Sequence, residues 1–207
     1  MDVTYHSVHG AIQESMHIFI RAGLHPLITR LSGTPVAIFE MGFGTGLNAL
    51  LTLMEAEKLQ QPVRYTAVEL YPLSGEEVKP LNYCHLLNHP ELQPVFEQLH
   101  QCEWGKEENI TPFFTLHKEN ASLENFSGSP FFHLVYFDAF APGAQPELWT
   151  KEVFEKLYRL MVPGGILVTY CSKSDVQRAM KAAGLSIEKI PGPPGKRETR
   201  RRAGRPP

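Results

Sequence analysis

The sequence predicts a doubly wound α/β fold, and three observations carry that prediction. Short apolar runs recur at Pro35–Phe39, Tyr65–Val68, Phe131–Phe137 and Ile166–Cys171, each suited in length and composition to a buried parallel strand. Segments with helical spacing of apolar residues lie between them. Joining the first run to the first such segment is Glu40-Met41-Gly42-Phe43-Gly44-Thr45-Gly46, a glycine-rich turn from strand into helix.

In chain order, residues 1–34 come first as a segment placed to gate the site. Thr4 to Ser15 carries two histidines near Gly10, too few ligands for a metal. Ile12, Met16, Phe19 and Ile20 form an apolar stripe at helical spacing, read as core, and Gly23 and Pro26 punctuate it. The strand Pro35–Phe39 and the glycine turn follow. Leu47, Leu50, Leu51 and Met54 continue as a helix without a breaker. Glycines at alternate positions strip side chains from the turn and let a ligand approach the backbone.

The spacing narrows the ligand. A dinucleotide fingerprint needs its third glycine at the sixth position, where Leu47 stands. The pattern is instead E-x-G-x-G-x-G, with Glu40 placed to organise the loop and accept from a ligand ammonium group. Tyr65 to Glu69 reads as the next strand, and Glu69, 23 residues past Gly46, is placed to accept from both ribose hydroxyls. Two acids and the glycine turn together point to an adenosine-containing ligand.

Residues 71–111, rich in Pro, Asn and His, exceed what one crossover requires and are expected to form a helical insertion beside the cleft. Trp104 within it reads as a buried structural tryptophan, with stacking on a base as the alternative. Phe113–Leu116 is the third strand, and Asn120 just beyond it is placed to pair with an adenine amino group. Phe131–Phe137 is a central strand ending at Asp138-Ala139-Phe140-Ala141-Pro142. Strand ends on this side of a parallel sheet face the ligand crevice, which makes Asp138 the candidate for reaction chemistry. Phe140 and Tyr170 are candidate walls of the substrate pocket.

Thr150 is positioned to cap a helix whose apolar face is Val153, Leu157 and Leu160. Pro163-Gly164-Gly165 turns into the strand from Ile166, a helix runs from Ser174 to Gly184, and Leu185–Ile190 forms a further strand. Pro191 to Gly195 is a tight loop before a basic tail, residues 196–207.

Composition bounds the class. At 43% hydrophobic and 20% charged residues, the 207-residue chain reads as one globular domain with no apolar run long enough to span a membrane. Met1 to Ser15 lacks a signal peptide's layout. Three cysteines without C-x-x-C spacing are expected to be reduced thiols in a cytoplasm. The net charge of −2 hides an asymmetry: residues 1–150 hold 7 Lys+Arg against 17 Asp+Glu, and residues 151–207 hold 13 against 5. Six basic residues between Lys196 and Arg205 suit phosphate contacts.

Several stretches taken together resemble one family: YHSVHGAIQESMHIFI, E-M-G-F-G-T-G-L-N, D-A-F-A-P with P-E-L-W-T, G-G-I-L-V-T-Y-C and P-G-P-P-G-K-R-E. It is the methyltransferase that completes 5-methylaminomethyl-2-thiouridine at the tRNA wobble position. In many bacteria that activity is half of a bifunctional protein, joined to an FAD-dependent oxidoreductase. This chain resembles the standalone form, since it carries no second dinucleotide fingerprint.

The resemblance implies a Rossmann-like sheet, S-adenosylmethionine as cofactor and methylation of the primary amine of 5-aminomethyl-2-thiouridine in tRNA. It places Glu40, Gly42, Gly44, Gly46, Glu69, Asn120 and Asp138 on the cofactor. Asp138 also faces the reacting amine as catalytic residue, and Tyr5, Phe140, Tyr170, Lys196 and Arg197 lie toward the substrate. It also implies a separate FAD-dependent oxidoreductase acting on the same uridine; ligand spacing and composition lead to the expectation of no metal and no membrane. Glu119-Asn120 departs from the family's usual Gly-Asp, and Thr199 with its arginine cluster from a usual Met. Two other readings share the residues: an aminopropyltransferase of the spermidine-synthase kind, and an RNA-binding module that kept the sheet without catalysis.

Overall fold

The computed structural model describes residues 2–31, 33–128, 131–190 and 200–206. Eight strands form one sheet in the order β3-β4-β2-β1-β5-β6-β8-β7. They are β1 (Val36–Met41), β2 (Val63–Val68), β3 (Glu107–Thr111), β4 (Phe114–Glu119), β5 (Phe132–Phe137), β6 (Met161–Thr169), β7 (Ser186–Ile190) and β8 (Arg200–Gly204). The central pairings β4-β2-β1-β5-β6 are parallel. β3 is antiparallel to β4, and β8 runs antiparallel to both β6 and β7. Every residue of β1 is buried, as a central parallel strand covered on both faces requires.

Two apolar layers sandwich the sheet. One face is covered by α3 (Leu47–Leu59), α6 (Gln93–Gln101) and the N-terminal helices. On the other, α7 (Lys151–Leu160) and α8 (Ser174–Ala182) pack on Phe39, Val135, Phe137 and Leu167. Thr150 caps α7 as the sequence predicts, its hydroxyl accepting from the Val153 N–H at 3.5 Å.

The N-terminal stretch is one helical run: α1 (Asp2–Ser15), a wide π-helical segment Met16–Leu24, and α2 (His25–Arg30). Gly23 and Pro26, expected as punctuation, do not interrupt it. Pro26 stands in the first turn of α2, where its missing N–H costs nothing, and the His25 N–H reaches Ile20 O across the widened turn. Gly23 lets the helix touch the sheet: a Cβ there would lie 3.1 Å from Val168 Cγ2.

Three other expectations change. The helical run after Glu69 comprises α4 (Gly75–Val78), α5 (Tyr83–Leu86), a 3₁₀ turn (Pro90–Leu92) and α6, so helix ends at Gln101. Residues 107–111 are instead the edge strand β3, a hairpin with β4. Pro163-Gly164-Gly165 is a bulge inside β6, since pairing jumps from Phe132↔Met161 to Leu134↔Ile166. The basic tail is in part β8, which inserts between β6 and β7 and holds Arg200–Gly204 in the sheet. Residues 191–199 lie outside the described residues.

Between β4 and β5, the described residues contain no crossover helix. A turn at Ser122, with the Asn125 and Phe126 N–H groups donating to Ser122 O, brings Leu123 and Phe126 over β1, where the Phe126 ring lies 5.2 Å from Phe39. The sheet's carboxyl edge is therefore open on that side, and a cavity occupies it.

Candidate active site

A cavity of about 870 Å³ runs along the carboxyl ends of the parallel strands, within the range of ligand sites. Its wall comes from the turns after β1, β2 and β5, from Ser122–Glu124, from one face of α7, and from Ala11, Glu14 and Ser15 of α1.

The glycine turn is its nearest wall. Gly42, Gly44 and Gly46 all have positive φ, at 88°, 49° and 73°. Gly44 has open space where a Cβ would stand, whereas a Cβ on Gly46 would meet His100 Nε2 at 2.9 Å. The first leaves room for a ligand, and the second seats the turn on α6. The seat is elaborate. His100 Nε2 lies 3.2 Å from Thr45 O, the Tyr83 hydroxyl donates to Thr45 Oγ1 at 3.0 Å, and Phe43 packs edge-on against His100 and Trp104. Lys118, fully buried on β4, donates to His100 O at 2.7 Å with its Nζ over the Phe43 and Trp104 rings. Burial lowers the Lys118 pKa and pushes His100 down to about 4, so His100 is neutral. Trp104 is half-buried, packed on Phe43 and Lys118, and does not line the cavity.

Glu69 braces the turn. Its Oε2 accepts from the Gly44 N–H at 3.0 Å and its Oε1 from the Tyr71 N–H at 2.8 Å, leaving a lone pair on each oxygen toward the cavity it lines. Asn120 takes a different place from the one expected. Its amide donates to Glu69 O at 2.9 Å and Leu70 O at 3.3 Å, so it braces the backbone and is not among the cavity-lining residues.

At the cavity floor two acids meet. The Asn48 amide nitrogen, on the first turn of α3, donates to Glu40 Oε1 and to Asp138 Oδ2, each at 2.9 Å. Glu40 is 1% exposed, and burial drives its pKa well above the ordinary value, with the charges of Asp138 and Glu69 adding to the effect. Asp138 is raised to about 7 by the surrounding protein and the nearby Glu14 carboxylate, against the lowering Asn48 bond. Its side chain is nevertheless open to the cavity. Asn48 Oδ1 is buried with no hydrogen-bond partner, while the buried Glu40 carboxyl and Tyr65 hydroxyl interact with each other outside standard hydrogen-bond geometry.

The D-A-F-A-P turn is pinned from behind. Tyr170 donates its hydroxyl to Ala139 O at 2.8 Å, and Trp149 its Nε1–H to Phe140 O at 2.8 Å. Both donors lie in the stretches P-E-L-W-T and V-T-Y-C. Burial, with the charge of Asp138, lifts the Tyr170 pKa to about 12, so the hydroxyl stays protonated. The Phe140 ring is left 70% exposed at the cavity mouth.

The structure brings together Glu40, Gly42, Gly44, Glu69, Asp138, Phe140 and Tyr170 on one cavity, whereas Gly46 is buried against His100 and does not line it. The Tyr5 side chain, Lys196 and Arg197 lie outside the described residues. The sequence reading missed Asn48 and Glu14 as site residues. Asn48 had a signal, a lone amide on an otherwise apolar helix opening, L-N-A-L-L. Glu14 had none beyond its place in the quoted stretch. No cluster of metal-ligating side chains occurs among the described residues, and no helix there is long and apolar enough to cross a membrane.

An adenosyl sulfonium amino acid fits these features. The open backbone at Gly44 offers a cradle, Glu69 lines the cavity with the acceptor chemistry that ribose hydroxyls need, and the unpartnered Asn48 oxygen on an acidic floor suits an ammonium and a sulfonium. Comparison with known proteins points the same way. The family model for S-adenosyl-L-methionine-dependent methyltransferases matches residues 96–203. The tRNA 5-methylaminomethyl-2-thiouridine biosynthesis bifunctional protein MnmC of Aromatoleum aromaticum is 32% identical, aligned over 94% of this chain and 31% of its own length. The protein of the same name from Pseudomonas entomophila is 30% identical over 92% of this chain and 31% of its own. The chain therefore spans about a third of the length of these curated relatives. The crystal structure of MNMC2 from Aquifex aeolicus superposes with a TM-score of 0.71 at 20% identity, covering 95% of this chain and 63% of that one. That likeness concerns the fold.

Proposed function

The chain belongs to the S-adenosyl-L-methionine-dependent methyltransferase family, and from that premise we propose that it methylates the 5-aminomethyl group of 5-aminomethyl-2-thiouridine at the tRNA wobble position. The observation that carries this reading is Asp138, a carboxyl held by Asn48 at the cavity floor with its pKa raised to about 7. The names of the relatives supply the nucleoside.

Bound S-adenosylmethionine supplies a methyl group on a sulfonium. Gly42 and Gly44 would present backbone to it, Gly46 seats the turn on α6, Glu69 would accept from the ribose hydroxyls, and Glu40 supports the floor beneath the glycine turn. The substrate amine arrives mostly as an ammonium ion and needs a lone pair to react. Asp138, as a carboxylate, orients the ammonium by accepting its hydrogen bond and then takes one of its protons, leaving a neutral amine beside a carboxylic acid. Methyl transfer to that nitrogen would leave the sulfur as a neutral thioether and the product as a secondary ammonium ion. The Asp138 proton then passes to solvent. Holding amine and methyl in line accounts for most of the acceleration. Tyr5, Phe140 and Tyr170 are assigned to the walls of the nucleoside pocket. Lys173, Arg178 and Lys181, with Lys196, Arg197 and Arg200 to Arg202, are assigned to tRNA phosphates. A separate FAD-dependent oxidoreductase is assigned to the same uridine, in the cytoplasm.

The test is transfer of labelled methyl from S-adenosylmethionine to bulk tRNA lacking the final methyl, followed by nucleoside analysis. Label in 5-methylaminomethyl-2-thiouridine is the expected result. Label in another nucleoside overturns the substrate assignment while leaving a tRNA methyltransferase. No label, with the cofactor bound, overturns tRNA as substrate. Transfer of an aminopropyl group from the decarboxylated cofactor, the reading the family match disfavours, would replace methylation altogether.

A further inference from the structure

We infer that Asn48 is a positioning residue for the reaction: one amide nitrogen clamps the Glu40 and Asp138 carboxyls together, and the buried Oδ1 is held ready for a donor on the incoming ligand. The inference rests on the reading of Asp138 as the group that takes the amine proton.

The geometry is specific. An amide nitrogen has two hydrogens, and here each has its own carboxylate at 2.9 Å, one on β1 and one at the end of β5. Asn48 is 4% exposed and lines the cavity, yet its Oδ1 has no partner. An orphaned buried acceptor is costly, and an ammonium or amine donor entering the cavity satisfies it. The floor thus combines accepting oxygens with acids, which suits a cationic ligand.

The groups that face Asp138 come from five elements. Asn48 on α3 stabilises its ionised form by donating a hydrogen bond. Glu14 on α1 brings like charge, the Asp138 charge itself raises the pKa of Glu40 on β1, and the hydroxyls of Tyr65 on β2 and Tyr170 beyond β6 interact with it electrostatically. Asn48 and Glu14 therefore act on Asp138 in opposite directions. The carboxyl's proton affinity is set by the balance between them.

That opposition gives the experiment. Carboxyl-¹³C-labelled aspartate is titrated by NMR in the full chain, with the Asp138 signal assigned by its loss in Asp138→Asn. Asn48→Leu should move the midpoint up by about one pH unit, the worth of a charge-assisted hydrogen bond. Glu14→Gln should move it down. Asn48→Asp, which keeps shape and volume but trades donors for a third acid, should move it up at least as far as Asn48→Leu. It also keeps the test usable where the leucine variant does not fold. The acid limb of turnover should shift with the midpoint, while the affinity for S-adenosylmethionine changes less than turnover does. An unmoved midpoint in a folded Asn48 variant overturns the inference, since a merely structural asparagine would alter melting and leave the titration alone. The titration needs no tRNA. A shifted midpoint without tRNA methylation would therefore sink the substrate reading alone, and methylation with an unmoved midpoint would sink the role of Asn48 alone.

Discussion

Replacing Asp138 with asparagine should abolish most activity and raise stability, and both effects have one cause. The surrounding protein lifts the Asp138 pKa from 3.8 to about 7, a gap worth about 4 kcal/mol. The side chain is open to the cavity, and water there screens its charge, so about half of that, ~2 kcal/mol, is the cost we assign to the ionised form. An acid with a raised folded pKa binds its proton more tightly in the folded state. The protein therefore loses stability as pH rises from 3.8 through about 7 and carries the full cost above that. Asparagine carries no charge, and its side-chain oxygen can still accept from Asn48 Nδ2, now 2.9 Å from Asp138 Oδ2. The variant should melt about 4–8 °C above the wild type at pH 8, with the difference fading toward pH 4. Its turnover on tRNA should fall by about 10²–10⁴ with cofactor affinity retained. In the wild type, turnover should rise about tenfold from pH 6 to pH 8 as the carboxylate fills, and the variant should lose Asp138's share of that rise. Calorimetry at pH 4, 6 and 8 alongside single-turnover rates decides it. A variant that melts below the wild type at pH 8, or that turns over normally, refutes the reasoning.

Other consequences are independent of Asp138. Gly46→Ala sets a side chain at a φ of 73° with its Cβ 2.9 Å from His100 Nε2, and should cost about 1–3 kcal/mol in denaturant unfolding. The same variant should weaken S-adenosylmethionine binding by at least about tenfold, because the turn loses its seat on α6. Glu69→Gln leaves one accepting oxygen for two backbone N–H groups. Calorimetric titration should show cofactor affinity down about tenfold with melting nearly unchanged. If the C-terminal half contacts tRNA phosphates, affinity should fall steeply with salt, and the pair Lys173→Ala and Lys181→Ala should flatten the log–log slope by up to about two. A slope unchanged in the double variant removes those two lysines from the interface.

Much of the scaffold is readable without coordinates because its signals are local. The four apolar runs form β1, β2, β5 and β6, since burial on both faces demands uninterrupted apolar residues. Gly42, Gly44 and Gly46 stand where backbone needs positive φ, a requirement that a residue type alone can announce. Pro26 and Gly23 mislead for the complementary reason: both are breakers by local rule, but contact with Val168 and Leu134 and a widened helical turn absorb them. The basic segment misleads too. Its arginines read as a basic tail suited to phosphates, and pairing with β6 and β7 makes part of it a strand.

The sequence by itself determined a doubly wound sheet, an adenosine-sized crevice at its carboxyl edge and an aspartate at the end of its central strand, because hydrophobic period and glycine freedom act over a few residues. Only the tertiary structure decided which groups converge there. Asn48 lies 90 residues from Asp138 along the chain, Tyr170 lies 31 from Ala139, and Glu69 lies 25 from Gly44. Hydrogen bonds of about 3 Å across such separations exist only once strand order brings the elements together. The same assembly desolvates Glu40 and crowds Asp138, so their proton affinities belong to the fold and not to the residues.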